Sequence, residues 1–213
     1  MTGTIALLGG GPFVANDELD ARLIETAQAT EVVVLPTADA FEHPSRLIET
    51  AQAWGERLGV SVDGRLVLRR ADANQTDHAA AVYNAKMVYL AGDSPLHLRS
   101  VLKDTALFDA LSHVLASGGV VAATGASAAA LCDPMTDPRG GAFSLGLGLV
   151  NGLAVLPEVE LMSPERLHRT LALATGFAVA VLPTGAALLG TSDGWERVGK
   201  AEVHGDLATV GIR

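Results

Sequence analysis

Short apolar runs alternate along most of the chain with segments whose apolar residues recur at helical spacing. From these two periodicities we predict strands at 4–8, 31–36, 60–68, 86–90 and 120–124. On the same basis we predict helices at 17–30, 44–58, 77–85, 106–117 and 164–175, and one that starts near Pro95. Continuous apolar strands alternating with amphipathic helices indicate an α/β fold, in which a mostly parallel sheet is covered on both faces.

The last third of the chain has a different pattern. Residues 140–157 are rich in glycine and leucine, and residues 177–213 contain short strand-like runs separated by turns. We predict that this tail adds antiparallel strands to an edge of the sheet. We find no linker, internal repeat or low-complexity segment, and therefore expect a single domain over residues 1–213.

Composition narrows the class of protein. Of the 213 residues, 49% are hydrophobic and 18% are charged, which favours a large core and argues against disorder. The net charge is −9, and the largest basic cluster is Arg69-Arg70, so we do not expect nucleic-acid binding. A single cysteine, Cys132, excludes an internal disulfide and a cysteine-based metal cluster, and we expect no metal.

Nothing in the sequence predicts export or membrane insertion. The N-terminal residues 1–4 lack the basic segment of a signal peptide and lead directly into an apolar strand. No apolar run approaches the roughly 20 residues that span a bilayer. We therefore expect no membrane association and a cytoplasmic location.

Residues 120–131 join an apolar strand to a run of small residues that opens a helix. A strand turning sharply into a helix holds the residue at the turn in a strained conformation above the sheet edge, where helical N–H groups can stabilise an oxyanion. We interpret Gly125-Ala126-Ser127 as such a nucleophile elbow, with Ser127 at its tip. Ala129 stands where the G-x-S-x-G pattern has its second glycine.

Two other glycine-containing segments follow predicted strands. Gly9-Gly10-Gly11 lacks the spacing of a phosphate-binding loop, and we expect close backbone approach there. Gly92-Asp93 supplies a backbone N–H facing Ser127, or forms a simple turn into the next helix; the spacing leaves both interpretations open. Ligand sites in such sheets lie beyond the carboxyl ends of the strands, where these segments fall.

Three blocks together resemble the dipeptidase E and cyanophycinase family of serine peptidases, in the class I glutamine amidotransferase-like superfamily. They are the strand and Gly-Asp at 90–93, the strand and Gly-Ala-Ser-Ala-Ala at 121–129, and the Asp-Pro and glycine-rich block at 133–149. The resemblance implies a flavodoxin-like three-layer sandwich formed by one amidotransferase-like domain. It also implies an elbow serine that attacks a peptide carbonyl, a histidine base after the glycine-rich hairpin, and no cofactor.

The general base departs from the family pattern. Glu158 stands where the family places its histidine, and a carboxylate can act there only if burial raises its pKa. His168, on the predicted helix 164–175, is the nearest histidine downstream, and His97 is a second candidate. Both also fit ordinary solvated helix positions.

The third member of a triad would be a carboxylate that orients the base. Asp133 and Asp137 are the candidates, although both precede prolines and suit turn formation. Arg139 binds a substrate carboxylate, or simply pairs with one of these aspartates.

Two functional hypotheses follow. The first is a serine hydrolase acting on a small peptide or isopeptide, with Ser127, His168 and Asp137 as triad. In this hypothesis the N–H groups of Gly92 and Ala128 hold the oxyanion, and Asp93, Arg139 and Glu158 line the substrate site. The second is a catalytically silent relative that keeps the pocket to bind a small ligand or a partner. The ligand in either case is a small peptide or amino-acid-derived molecule, and we allow for a homodimer.

Overall fold

The computed structural model describes residues 3–213. Met1 and Thr2, which belong to the N-terminal stretch predicted not to be a signal peptide, lie outside the described residues. The helices are α1 (Asp17–Ala27), α2 (Pro44–Leu58), α3 (Thr76–Tyr83), α4 (Pro95–Leu102), α5 (Ala106–Ala116), α6 (Ala126–Leu131) and α7 (Pro164–Leu173). The strands are β1 (Thr4–Leu8), β2 (Glu31–Leu35), β3 (Ser61–Gly64), β4 (Met87–Leu90), β5 (Val120–Thr124), β6 (Cys132–Asp133), β7 (Met135–Thr136), β8 (Phe143–Ser144), β9 (Val150–Asn151), β10 (Leu153–Pro157), β11 (Ala178–Leu182), β12 (Ala187–Thr191), β13 (Gly194–Val198), β14 (Glu202–His204) and β15 (Gly211–Ile212).

A seven-stranded sheet with the order β13-β12-β1-β5-β4-β2-β3 forms the centre of the fold. The five strands from β1 to β3 in this order run parallel, and β12 and β13 add antiparallel strands at one edge. The predicted mostly parallel sheet with C-terminal antiparallel edge strands is therefore confirmed.

Helices cover both faces of this sheet because its parallel strands are apolar on both faces. In β1, Ile5 and Leu7 belong to the core shared with α4 and α5, whereas Ala6 and Leu8 belong to the core shared with α1 and α2. The result is the three-layer α/β sandwich that was expected.

The C-terminal third contributes more than edge strands. Strand β11 does not join the central sheet but pairs in parallel with β10 and antiparallel with β14, in a separate three-stranded sheet. The pattern of short strands and turns could not show whether β11 joins the central sheet or a separate one, because its apolar residues would be buried in either case. No helix within residues 3–213 has both the length and the apolar character needed to cross a bilayer.

Candidate functional site

The candidate site lies where the carboxyl ends of β1, β4 and β5 meet. The register of the sheet aligns Leu8 with Thr124, and Leu90 with Ala123. The three segments singled out in the sequence, which begin at Gly9, Ala91 and Gly125, therefore leave the sheet side by side. This is the edge at which open parallel sheets bind ligands.

Gly125 is the residue in the strained turn between β5 and α6. Its backbone angles are φ 58° and ψ −129°, a region that residues with a side chain adopt only under strain. A Cβ atom at this position would meet no heavy atom within 4 Å, so a side chain here would project into open space. The tip of the elbow is thus Gly125, two residues earlier than predicted.

Ser127 lies inside the first turn of α6 and is fully buried. Its hydroxyl donates a hydrogen bond to the carbonyl oxygen of Gly92, at 3.3 Å. The sequence pattern suggested an exposed hydroxyl at the tip. The structure instead places this hydroxyl in the contact between the elbow helix and the loop that follows β4.

The backbone donors around the elbow also differ from the prediction. The N–H of Ala128 donates to the carbonyl of Gly125 at 3.1 Å, so this N–H is already occupied. Among residues 3–213, the N–H groups of Gly92 and Ala126 have no acceptor. Gly92 has φ 116°, and a Cβ atom there would lie 2.5 Å from the backbone nitrogen of Asp39, so only glycine fits this approach.

The histidine candidates lie away from the Ser127 hydroxyl. His168 is exposed on α7, and its imidazole makes no hydrogen bond within the described residues. His97 is held on α4 by a 2.9 Å hydrogen bond between its Nε2 and the carbonyl of Leu68, and its ring packs edge-on against Phe41. Neither histidine is hydrogen-bonded to Ser127.

Asp137 and Arg139 bind each other instead of a base and a substrate. Two guanidinium nitrogens of Arg139 lie 3.0 and 2.8 Å from the Asp137 carboxylate, and this pairing lowers the pKa of Asp137 to about 2. Asp133 accepts the N–H of Gly146 and so supports the hairpin. The described residues therefore contain no hydrogen-bonded triad of Ser127, His168 and Asp137.

Glu158 directly follows β10, and its side chain reaches back to the glycine loop after β1. Its N–H donates to the carbonyl of Gly9 at 3.0 Å, and its backbone is left-handed, with φ 48°. A Cβ atom at Gly10 would lie 2.6 Å from the Cγ of Glu158, so the absence of a side chain at Gly10 makes room for this glutamate. Burial, and then the negative charges of Asp93 and Glu160, raise the pKa of the half-buried Glu158 carboxyl.

Asp93 faces the same space from the loop after β4. Its side chain remains accessible to solvent, yet partial burial followed by the charge of Asp39 raises its pKa. Within the described part of the chain, neither Asp93 nor Glu158 forms an ion pair with a cationic side chain.

These residues border a cavity of about 250 Å³ beside the elbow. Asp93 and Glu158 are its acidic groups, and Arg166 of α7 is its cationic group. The apolar part of the wall includes Ala126, Ala129, Leu156, Leu161 and Met162. Such a lining can hold a small molecule by apolar contact and orient it by its charged groups.

Fold and site define a three-layer α/β protein with a strained strand-to-helix turn at the edge of its parallel sheet. The profile of Peptidase family S51 matches residues 5–196, and the chain belongs to this family. The fold is that of peptidase E-type proteins. Family membership supports a peptidase-like hydrolase as the general class.

Two solved structures illustrate this similarity. One is a peptidase from an acI-B1 actinobacterium, with 26% identity and a TM-score of 0.85, covering 96% of this chain and 90% of that chain. The other is a protein described as a peptidase E from Listeria monocytogenes EGD-e, with 16% identity and a TM-score of 0.68, covering 96% and 98% of the two chains. The second likeness concerns the fold alone. No curated protein matches the chain.

Three residues of the site could not be given their positions from the sequence. Gly125 was assigned to the first glycine of the elbow pattern, although the residue directly between strand and helix is the one that takes the strain. Because the tip lies at Gly125, Ala126 is the first residue of α6 and lines the cavity. Arg166 carries no sequence signal that distinguishes it from its neighbour Arg169 on α7, and only the fold directs it towards the cavity.

Proposed function

We propose that this protein is a catalytically silent member of Peptidase family S51 that uses the pocket beside its elbow to bind a small ligand. The observation that carries the proposal is the glycine at the tip of the elbow. A nucleophile elbow works because its strained residue holds the reacting side chain in the pocket. Gly125 takes up that conformation without a side chain to react.

Ser127 does not compensate for this loss. A serine hydroxyl becomes a nucleophile only when a base accepts its proton and a substrate carbonyl can reach it. The Ser127 hydroxyl is buried and donates a hydrogen bond to a carbonyl oxygen, which is too weak a base to take up its proton. Glu158, which replaces the expected histidine, faces the cavity.

The pocket itself persists around the missing nucleophile. The cavity retains apolar walls, charged groups and the unoccupied N–H of Ala126. Binding needs only these complementary groups, whereas covalent catalysis needs a nucleophile as well. A glycine at position 125 therefore leaves the elbow without a reacting side chain but keeps the binding surface.

Family membership favours a second candidate, a serine-type hydrolase acting on a small peptide or isopeptide through Ser127 with a non-standard triad. This hypothesis requires the Ser127 hydroxyl to leave Gly92 and turn into the cavity. It also requires Glu158 or a histidine to approach it.

Labelling with a fluorophosphonate probe separates the two candidates. We expect the wild-type protein to show no more labelling at neutral and alkaline pH than Ser127→Ala. Ser94→Ala serves as matched control, since Ser94 precedes α4 near the same edge and makes no side-chain capping bond. Labelling that is lost in Ser127→Ala and kept in Ser94→Ala would establish the hydrolase and overturn the proposal.

A further inference from the structure

The polar groups of the cavity beside the elbow carry opposite charges on different elements. Asp93 follows β4 and Glu158 follows β10, whereas Arg166 belongs to α7. None of the three forms an ion pair within the described residues. Three charged groups that border one cavity without an ion-pair partner are available to the charged groups of a ligand.

The two carboxylates repel one another. Partial burial is the main cause that raises the pKa of each carboxyl, and the charge of Asp93 adds to the shift at Glu158. A protonated amine between them would neutralise this repulsion and form charge-assisted hydrogen bonds with both. The space left free at Gly125 lies at the same edge of the sheet.

Arg166 supplies the complementary observation. One terminal nitrogen of its guanidinium donates to the carbonyl of Pro138 at 2.5 Å, which anchors the group. Its Nε is buried and has no hydrogen-bond partner in residues 3–213. An anchored guanidinium with an unpaired donor suits a carboxylate.

From these contacts, and resting on the proposed function, we infer that the pocket binds a small aliphatic zwitterion. Its ammonium group lies between Asp93 and Glu158, its aliphatic part contacts Leu156, Leu161 and Met162, and its carboxylate binds Arg166. The cavity of about 250 Å³ suits a ligand of on the order of ten non-hydrogen atoms.

The test uses ε-aminocaproate as probe, with hexylamine and hexanoate as analogues that each lack one charged group. Binding to the purified full-length protein is followed by ligand-observed NMR and calorimetry. We expect ε-aminocaproate to bind, and each analogue to bind roughly tenfold more weakly or worse, because each leaves one charged group of the pocket unpaired.

Variants locate the site. Glu158→Gln is expected to weaken ε-aminocaproate binding roughly tenfold and to leave hexanoate binding unchanged. Arg166→Gln is expected to weaken ε-aminocaproate and hexanoate and to spare hexylamine. Glu165→Gln is the control for Glu158→Gln, and Arg169→Gln is the control for Arg166→Gln. Each control removes a charge of the same sign from a residue of α7 that does not line the cavity.

The inference is overturned if ε-aminocaproate does not bind at millimolar concentration, if it binds no better than both analogues, or if the controls weaken it as much as the pocket variants. These outcomes are independent of the labelling experiment. A protein that stays unlabelled but does not bind the zwitterion remains a silent relative with another ligand. A protein labelled at Ser127 is a hydrolase whether or not it binds the probe.

Discussion

The buried hydroxyl of Ser127 donates to the carbonyl oxygen of Gly92 at 3.3 Å, and so joins the elbow helix α6 to the loop that follows β4. That loop also carries Asp93, and the N–H of Ser94 donates to the carbonyl of Ala38. The contact therefore helps to fix the position of one wall of the cavity. Ser127 therefore has a structural role, since its hydrogen bond holds the backbone of the loop after β4.

Replacing Ser127 by alanine tests that role by stability. We expect the free energy of unfolding to fall by about 0.5–1.5 kcal/mol, the usual contribution of one hydrogen bond, because the smaller side chain fits the same space. The measurement is urea denaturation of the two proteins. Ser94→Ala, which loses no capping bond, should change stability less. An unchanged stability in Ser127→Ala would show that the hydroxyl does not join the two segments.

Replacing Gly125 by alanine tests where the strain of the elbow lies. We expect Gly125→Ala to lower the free energy of unfolding by about 1–3 kcal/mol, since the backbone conformation disfavours any side chain. Gly140→Ala is the matched control, because a Cβ there also meets nothing within 4 Å and its φ is not positive. Equal stability of the two variants, measured by thermal or urea unfolding, would contradict the strained tip at residue 125.

The sequence predicted the layers of the fold better than the position of the elbow tip. Apolar strands and amphipathic helices follow from periodicities that burial imposes, and the helix over 44–58 has the predicted bounds. The elbow differs because Gly125 and Ser127 both suit the same short motif. The motif alone does not indicate which residue lies at the junction, whereas the backbone angles do.

The polar groups of the site illustrate a second limit. From the sequence, Arg139 could bind a substrate carboxylate or pair with a nearby aspartate. In the structure it forms an ion pair with Asp137. Glu158 could be placed at the end of a strand by its position after the glycine-rich hairpin. Its contact with Gly10 could not be predicted, because it joins segments about 150 residues apart through the tertiary fold.

The buried carboxyl of Asp20 predicts an unusual dependence of stability on pH. Asp20 accepts a hydrogen bond from the indole of Trp54, and burial raises its pKa from 3.8 to about 7. The folded protein therefore binds this proton more tightly than the unfolded chain. The contribution is complete below pH 3.8, declines as the pH rises, and is lost above about pH 7. The difference between these extremes is about 4 kcal/mol.

Asp20→Asn removes this titration and keeps an oxygen for the indole. We expect the variant to lose the decline in the free energy of unfolding between pH 5 and pH 8 that the wild-type protein shows by urea denaturation. Glu18→Gln, at an exposed position on the same helix, should retain the decline. If the free energy of unfolding changes between pH 5 and pH 8 by the same amount in the wild-type protein and in Asp20→Asn, Asp20 is already ionised in the folded protein.

Enlarging Gly10 should disturb the pocket through Glu158 without unfolding the protein. A Cβ at position 10 would lie 2.6 Å from the Cγ and 2.8 Å from the Oε1 of Glu158, so the flexible glutamate has to move away. We expect Gly10→Ala to weaken binding of ε-aminocaproate several-fold and to change the midpoint of unfolding little, because its φ is not positive. Gly211→Ala, where a Cβ meets nothing within 4 Å, is the control for binding and stability. If Gly10→Ala binds the zwitterion as well as this control does, Glu158 does not hold the ammonium group, since the carboxylate cannot keep its place beside an added methyl group.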